Sequence, residues 1–313
     1  MSGLSGHLLL RAEAREGGRT VLAGQSGRSP YHVSKPYWDE AAGTLIVQVV
    51  NATAGILAGD RLESEIRVEA GAALLVTAPS ASRIFRMGEG APAECRQRFT
   101  VATGGWMEVL PEPLVPHRGC RYRQTTRLEV AAGAGLFFAD LVLPGRTAHG
   151  ETWAWDRLCL ETEVRVAGEL VLRERFDQTG PGLKSLADWA GSGATACFGN
   201  ALLLVPEGEG TTQSRPSGIE VERVDPNALG LARSQSSALG SMRSTSEALT
   251  AALARVSALH GNGVWLGVSP LRRGGWSIKF VAPDSQRLRE TLRAIRRELA
   301  AVWPQLSADS RKL

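Results

Sequence analysis

The stretch Arg121-Tyr122-Arg123-Gln124-Thr125-Thr126-Arg127-Leu128-Glu129-Val130 decides how this chain is read. Tyr122, Leu128 and Val130 share one face with Gln124 and Thr126, and Arg121, Arg123, Arg127 and Glu129 share the other. Successive side chains of a strand point to opposite sides, so this period of two predicts a strand with one buried and one wet face. The pattern recurs on either side of it. In Arg61 to Glu69, Leu62, Ile66 and Val68 oppose Arg61, Glu63, Glu65, Arg67 and Glu69. In Arg157 to Val166, Leu158, Leu160, Val164 and Val166 oppose Arg157, Glu161, Glu163 and Arg165. Gly71, Gly104, Gly133 and Gly168 punctuate these runs at roughly thirty-residue steps, and glycine supplies the positive φ of a tight hairpin. Strand, turn and strand repeating at such a step predict a mainly β protein of stacked, solenoid-like sheets. An ordinary β-sandwich or barrel with hairpins of similar length is the alternative.

Working outward, alternation dominates residues 1–205, which are expected to form a β-rich core. Residues 206–243 are rich in Gly, Ser, Pro and Arg and read as a low-complexity loop or insertion. Residues 244–303 are expected to complete the same domain as helix, strand, strand and helix. The first helix runs from Ser244 to Leu259 and ends at Gly261-Asn262-Gly263. Strands follow at Val264 to Val268 and Trp276 to Val281. Pro283-Asp284 opens the last helix, with Leu288, Leu292, Ile295, Leu299 and Val302 on one face. Residues 304–313 read as a tail.

Composition narrows the function. The 313 residues are 43% apolar and 22% charged, as in a globular protein with a sizeable core. Thirty-six basic against 32 acidic residues leave a net charge of +4, too mild to indicate nucleic acid. No apolar run approaches the roughly 20 residues of a membrane-spanning helix. The start of the chain lacks the features of a signal peptide, and Cys95, Cys120, Cys159 and Cys197 are dispersed, with no C-x-x-C pair. A cytoplasmic protein is expected.

No catalytic motif stands out, so a protein that is not an enzyme is expected. His117 and Cys120 lie three apart on a turn, and imidazole with thiolate suits nickel, zinc or copper. A surface histidine beside a packed cysteine fits equally. Asp60, Glu112, Asp140 and Glu151 fall near strand ends or turns, where a carboxylate can act as a base, cap a turn or meet an arginine. Trp153 and Trp155, two apart, are expected on one strand face, as core or as an interface anchor.

Four ordered segments carry a resemblance. They are Thr53-Ala-Gly-Ile-Leu-Ala-Gly-Asp60, Thr77-Ala-Pro-Ser-Ala-Ser-Arg-Ile-Phe85, Leu110-Pro-Glu-Pro-Leu-Val-Pro-His-Arg-Gly119 and Gly145-Arg-Thr-Ala-His-Gly-Glu151. Together they resemble the urease accessory protein family UreD, called UreH in some organisms. Ala54 stands where the family has a first glycine, and His117 where it has an aromatic residue after the proline. The resemblance implies a mainly β fold with a few α-helices, its sheets stacked with a helical winding, and a scaffold or chaperone for nickel insertion into apo-urease. It implies binding to a UreF-type partner and, through it, to a UreG-type GTPase, in a possible dimer of heterodimers. It also implies transient nickel passing through an internal channel, and no tightly bound cofactor. On this reading Asp60, Glu151, His117 and Cys120 are the candidate metal-facing residues, and Gly59, Gly145 and Arg146 hold turns near the channel or a partner. A β-scaffold hydrolase using Asp60, Glu151 or Cys120, and a general protein- or sugar-binding module, are the competing functions.

Overall fold

A computed structural model of the chain describes residues 3–189, 193–206 and 237–308. The main strands are β1 (Ser5–Ala14), β2 (Thr20–Arg28), β3 (Thr44–Asn51), β4 (Arg61–Val68), β5 (Ala73–Thr77), β6 (Ala93–Val101), β7 (Trp106–Leu110), β8 (Arg121–Val130), β9 (Gly135–Val142), β10 (Arg157–Val166), β11 (Glu169–Gln178), β12 (Cys197–Leu204), β13 (Trp265–Pro270) and β14 (Gly275–Ala282). The helices are α1 (Gly180–Trp189), α2 (Ser237–Ser257) and α3 (Ser285–Ala300).

The alternating strands gather in one sheet, ordered β11-β10-β8-β6-β4-β1-β2. A second sheet holds β13-β14-β12-β9-β7-β5-β3. Between β1 and β10 the first sheet is parallel, and so is the second between β3 and β9. The chain therefore passes from one sheet to the other and back, once per repeat, which is the expected solenoid-like winding.

One correction concerns the turns. Gly71, Gly104 and Gly133 do not close hairpins; they sit at corners where the chain leaves the first sheet for the second. In each corner the residue after the glycine donates its N–H to a carbonyl three residues back: Ala72 to Glu69, Gly105 to Ala102, Ala134 to Ala131. The glycines have φ of 69°, 71° and 71°. Only the fourth turn is a hairpin. There β10 and β11 pair antiparallel, and Ala167 and Gly168 have φ of 50° and 80°, positive at both positions as a two-residue hairpin requires.

The core follows from the two faces of each sheet. Leu8, Leu10, Ile66, Phe99 and Leu128 of the first sheet meet Leu74, Met107, Leu136 and Phe138 of the second. Behind the second sheet, Leu75, Phe137, Leu203 and Ile278 pack on α2 and α3. Both faces of that sheet are thus buried, and its strands read as apolar runs such as Gly135-Leu-Phe-Phe-Ala-Asp-Leu-Val142 instead of alternating.

At the start of α3 Asp284 accepts the Arg287 N–H at 2.8 Å, and the helix buries Leu288, Leu292, Ile295 and Leu299. Val302 falls beyond its last turn. Arg296 reaches under the helix to Glu108 on β7, with N–O distances of 2.5 and 2.9 Å. Helix α2 begins at Ser237, ahead of the expected Ser244, and residues 207–236 of the expected insertion lie outside the described residues. Pro304–Ser307 forms a 3-10 turn, and Leu306 and Ala308 join the core, so the expected tail begins inside the packed structure.

Candidate functional site

On the way back from the second sheet to the first, the chain forms a narrow third side. Ser82–Ile84 and Leu114–Pro116 pair in parallel there, and Ile56 bridges Ile84. The four segments quoted from the sequence all contribute to this return edge. Folding has stacked motifs that are far apart in the chain, because successive coils place equivalent residues above one another.

Asp60 is buried and caps a turn. One carboxylate oxygen accepts the Leu4 N–H at 2.9 Å and the other the Leu57 N–H at 2.8 Å. Gly59 before it has φ of 77°. The family's first glycine is dispensable here, since the tight approach falls on Gly55, where an added Cβ would lie 2.6 Å from the Arg83 carbonyl oxygen. Two coils further on, Arg146 and Glu151 face each other across a two-residue strand pair and form a bidentate ion pair of 2.7 and 3.0 Å. This pairing and the backbone N–H of Arg118 hold the Glu151 carboxyl below its usual range. Gly145 has φ of 125°, and a Cβ there would run into the Glu151 carbonyl oxygen. Gly145→Ala should therefore cost about 2 kcal/mol, measured as a lower denaturant midpoint at unchanged slope. A midpoint equal to that of the parent protein would show that the turn relaxes freely.

His117 and Cys120 share a turn, the Cys120 N–H donating to the His117 carbonyl. The His117 ring meets the edge of Phe85 at 4.8 Å, and its buried Nε2 has no hydrogen-bond partner among the described residues. The Cys120 thiol lies in an apolar cluster with Tyr122, Trp153 and Trp155, and burial pushes its pKa up to about 12. Among the described residues no third His, Cys, Asp or Glu joins these two in a metal-sized group. The geometry gives Cys120 a packing role. Trp153 and Trp155 are both buried, their rings 5.4 Å apart, but in an irregular segment instead of on a strand. Trp153 takes φ of 56° there.

Between the sheets the structure holds a feature that the motifs do not contain. The inward face of the first sheet carries a polar row in register: Ser64, Gln97, Thr126 and Thr162 on β4, β6, β8 and β10. Beside it a cavity of about 250 Å³ is lined by Tyr31, Ser64, Cys95, Gln97, Gln124 and Asp140, with exposed Thr53, Ala54 and Arg83 at its rim. A second cavity of about 470 Å³ is lined by Asp140, Thr162, Glu174, Asn200 and Lys279, with exposed Trp265 and Leu186 at its rim. The first cavity reaches the return edge and the second reaches β13, and Asp140 is the residue the two share.

Asp140, expected near a strand end or a turn, lies two residues before the end of β9 and faces the first sheet. Its carboxylate accepts from the Gln124 amide at 3.4 Å. Tyr122 donates to Gln124 at 3.0 Å, and Thr126 to Gln97 at 3.3 Å. Burial pushes the Asp140 pKa up to about 7, against a partial lowering by Gln124. Burial likewise raises the Cys95 thiol to about 11. Across the mouth of the second cavity, Lys279 of the second sheet pairs with Glu174 of the first at 2.5 Å. The sequence did carry one signal for this polar interior: Gln124 and Thr126 fall on the face that Leu128 and Val130 mark as buried. Glu112, the remaining carboxylate, pairs with Arg289 of α3 at 2.8 Å.

Comparison with known proteins fits this architecture to a family. A sequence model described as UreD urease accessory protein matches residues 4–312. A urease accessory protein UreD of Opitutus terrae is 53% identical over 309 residues, covering 99% of each chain. That of Yersinia pseudotuberculosis serotype O:1b is 33% identical over 210 residues, 66% of this chain and 64% of its own. The Yersinia enterocolitica protein is 33% identical over 216 residues, 66% of each chain. Accessory proteins assist an enzyme instead of being one, in line with the non-catalytic expectation. With a match from end to end and more than half its residues shared with one relative, this chain belongs to the UreD urease accessory protein family.

Proposed function

We propose that this protein is a scaffold for nickel insertion into apo-urease, and that the ion travels through an interior passage past Asp140. It works in the cytoplasm with a UreF-type partner and, through that partner, a UreG-type GTPase, as a dimer of heterodimers. The observation that carries the reading is a carboxylate that lines both cavities, among amide and hydroxyl groups. Carboxylate, amide and hydroxyl oxygens bind a divalent ion without the strong hold of a closed thiolate site. Such donors suit a cargo that has to leave again. In this reading Asp60, Glu151, Gly59, Gly145 and Arg146 act by shaping the rim, while His117 and Cys120 pack beneath it.

The hydrolase reading needs an acid, a base and a nucleophile that converge. Asp60 is occupied by backbone N–H groups, Glu151 by Arg146, and the Cys120 thiol is protonated in an apolar cluster. No observation favours a sugar-binding module.

The test is urease activity in cells expressing apo-urease with the remaining accessory proteins, with and without this chain. Activation that depends on this chain is expected, and equal activity in both cultures would refute the scaffold reading. Asp140→Leu, introduced in the same assay, separates scaffold from conduit. Full activation by that variant would leave a scaffold without the passage.

A further inference from the structure

We infer that the return edge docks an acidic segment of a partner protein, one that also presents an apolar side chain. The outer face of the first sheet shows the contrast. There the arginines pair or stand in register with carboxylates: Arg96 pairs with Glu63 and Glu94, Arg123 with Glu161, Arg157 with Asp177 and Arg165 with Glu163, while Arg98 stands opposite Glu65 and Arg127 opposite Glu163. At the return edge Arg83, Arg86 and Arg118 are exposed, and among the described residues no hydrogen bond or ion pair holds their guanidinium groups.

The winding brings these three together. Arg83 stands opposite Val115 in the parallel pair, the stem of Arg86 lies over Gly119, and Arg118 directly precedes that glycine. Arg146 and the exposed His149 lie close by on the next coil. The carboxylates of this region are Glu151, already taken by Arg146, Asp60, held by two backbone N–H groups, the exposed Asp156, whose N–H donates to the Cys120 carbonyl, and Glu89 on the loop after Met87.

Unpaired guanidinium groups held side by side repel one another and present forks that match carboxylates. Leu57, 54% exposed, and the half-buried Phe85 and Val115 lie among them. Cations grouped around apolar side chains fit a short acidic and partly apolar peptide. A nucleic-acid strand would favour a longer basic stripe along its backbone. This inference stands on the charges of the rim and does not require the passage to carry an ion.

The experiment uses the full chain and a fluorescein-labelled synthetic peptide of glutamate and aspartate with a leucine or phenylalanine at every fourth position. Fluorescence anisotropy at about 50 mM and about 300 mM salt reads its affinity. Arg83→Glu combined with Arg86→Glu and Arg118→Glu should weaken binding at least tenfold and remove most of its salt dependence. Arg98→Glu with Arg127→Glu, on the outer face of the first sheet, should leave binding within twofold. Since all five side chains are exposed, circular dichroism and a thermal midpoint establish that both variants fold, and replacement by Gln instead of Glu provides a milder second set. Equal binding by the parent and the return-edge variant, or equal loss in both variants, would overturn the inference. So would tighter binding of a single-stranded oligonucleotide than of the peptide.

Discussion

Arg296→Met is expected to destabilise the fold by about 3–5 kcal/mol at neutral pH, measured by urea denaturation. The size follows from what stays behind. Glu108 is 0% exposed in the middle of the second sheet, and Arg296, 12% exposed, is the cation that meets both its carboxylate oxygens. Removing the guanidinium leaves a buried carboxylate with no charge partner, and it also frees the Ala308 carbonyl, which accepts from Arg296 at 3.2 Å. The loss should depend on pH. Burial already raises the Glu108 pKa, and Arg296 opposes that rise. Without Arg296 the folded pKa rises further above the unfolded value. The contribution of protonated Glu108 is then present at low pH and lost as pH climbs through the folded pKa. The variant should accordingly be less impaired at mildly acidic than at alkaline pH. Glu108→Leu combined with Arg296→Met should recover most of the loss, since an apolar pair of similar volume removes the desolvation cost. A loss below about 1 kcal/mol in the single variant would show that water reaches Glu108.

The second large effect lies at Asp140, which lines both cavities. Asp140 has a folded pKa of about 7 against a reference of 3.8. The folded protein therefore holds this proton more tightly than the unfolded chain does. The stability it contributes is complete below the unfolded pKa and is lost as pH rises through about 7, amounting to roughly 4 kcal/mol in the limit. Asp140→Asn keeps a group that accepts from Gln124 and removes the titration. Its stability curve should lack the decline that the parent shows between mildly acidic and alkaline pH, and the variant should be the more stable protein above neutrality. If the passage carries a divalent ion, binding has to displace the same proton, so affinity should rise with pH across the same window and vanish in the Asn variant. Calorimetric nickel titrations on both proteins would show this. Parallel stability curves for the two would mean that Asp140 is not the group that titrates.

The sequence alone does not single out Glu108, and it offers Asp140 only as one of four carboxylates without showing where it faces; the reason is the same for both. Glu108 lies in Trp106-Met-Glu-Val-Leu110, and Asp140 in an apolar run. Both strands are buried on two faces, so alternation cannot tell which way either carboxylate points. The candidates drawn from motifs had the opposite fate. Asp60, Gly59, Gly145, Arg146 and Glu151 were legible because tight turns restrict residue type. Their geometry accounts for them as turn-holding groups, through caps, positive φ and one ion pair. His117 and Cys120 are neighbours in sequence, and that proximity says nothing about burial, which keeps the thiol protonated.

By itself the sequence determined the local facts: which residues of β4, β8 and β10 face water, where glycine takes positive φ, and where Asp284 starts α3. Each depends on a few neighbouring residues, through the two-residue period of a strand, the missing Cβ of glycine or the reach of a capping carboxylate. Only the tertiary structure decided that three of the four glycine turns are corners between sheets, that the second sheet is covered by helices, and that a polar row crosses the interior to Asp140. Those depend on which strands lie side by side. Stacking of one coil on the next sets that register across some thirty residues of chain, beyond the range of any local pattern.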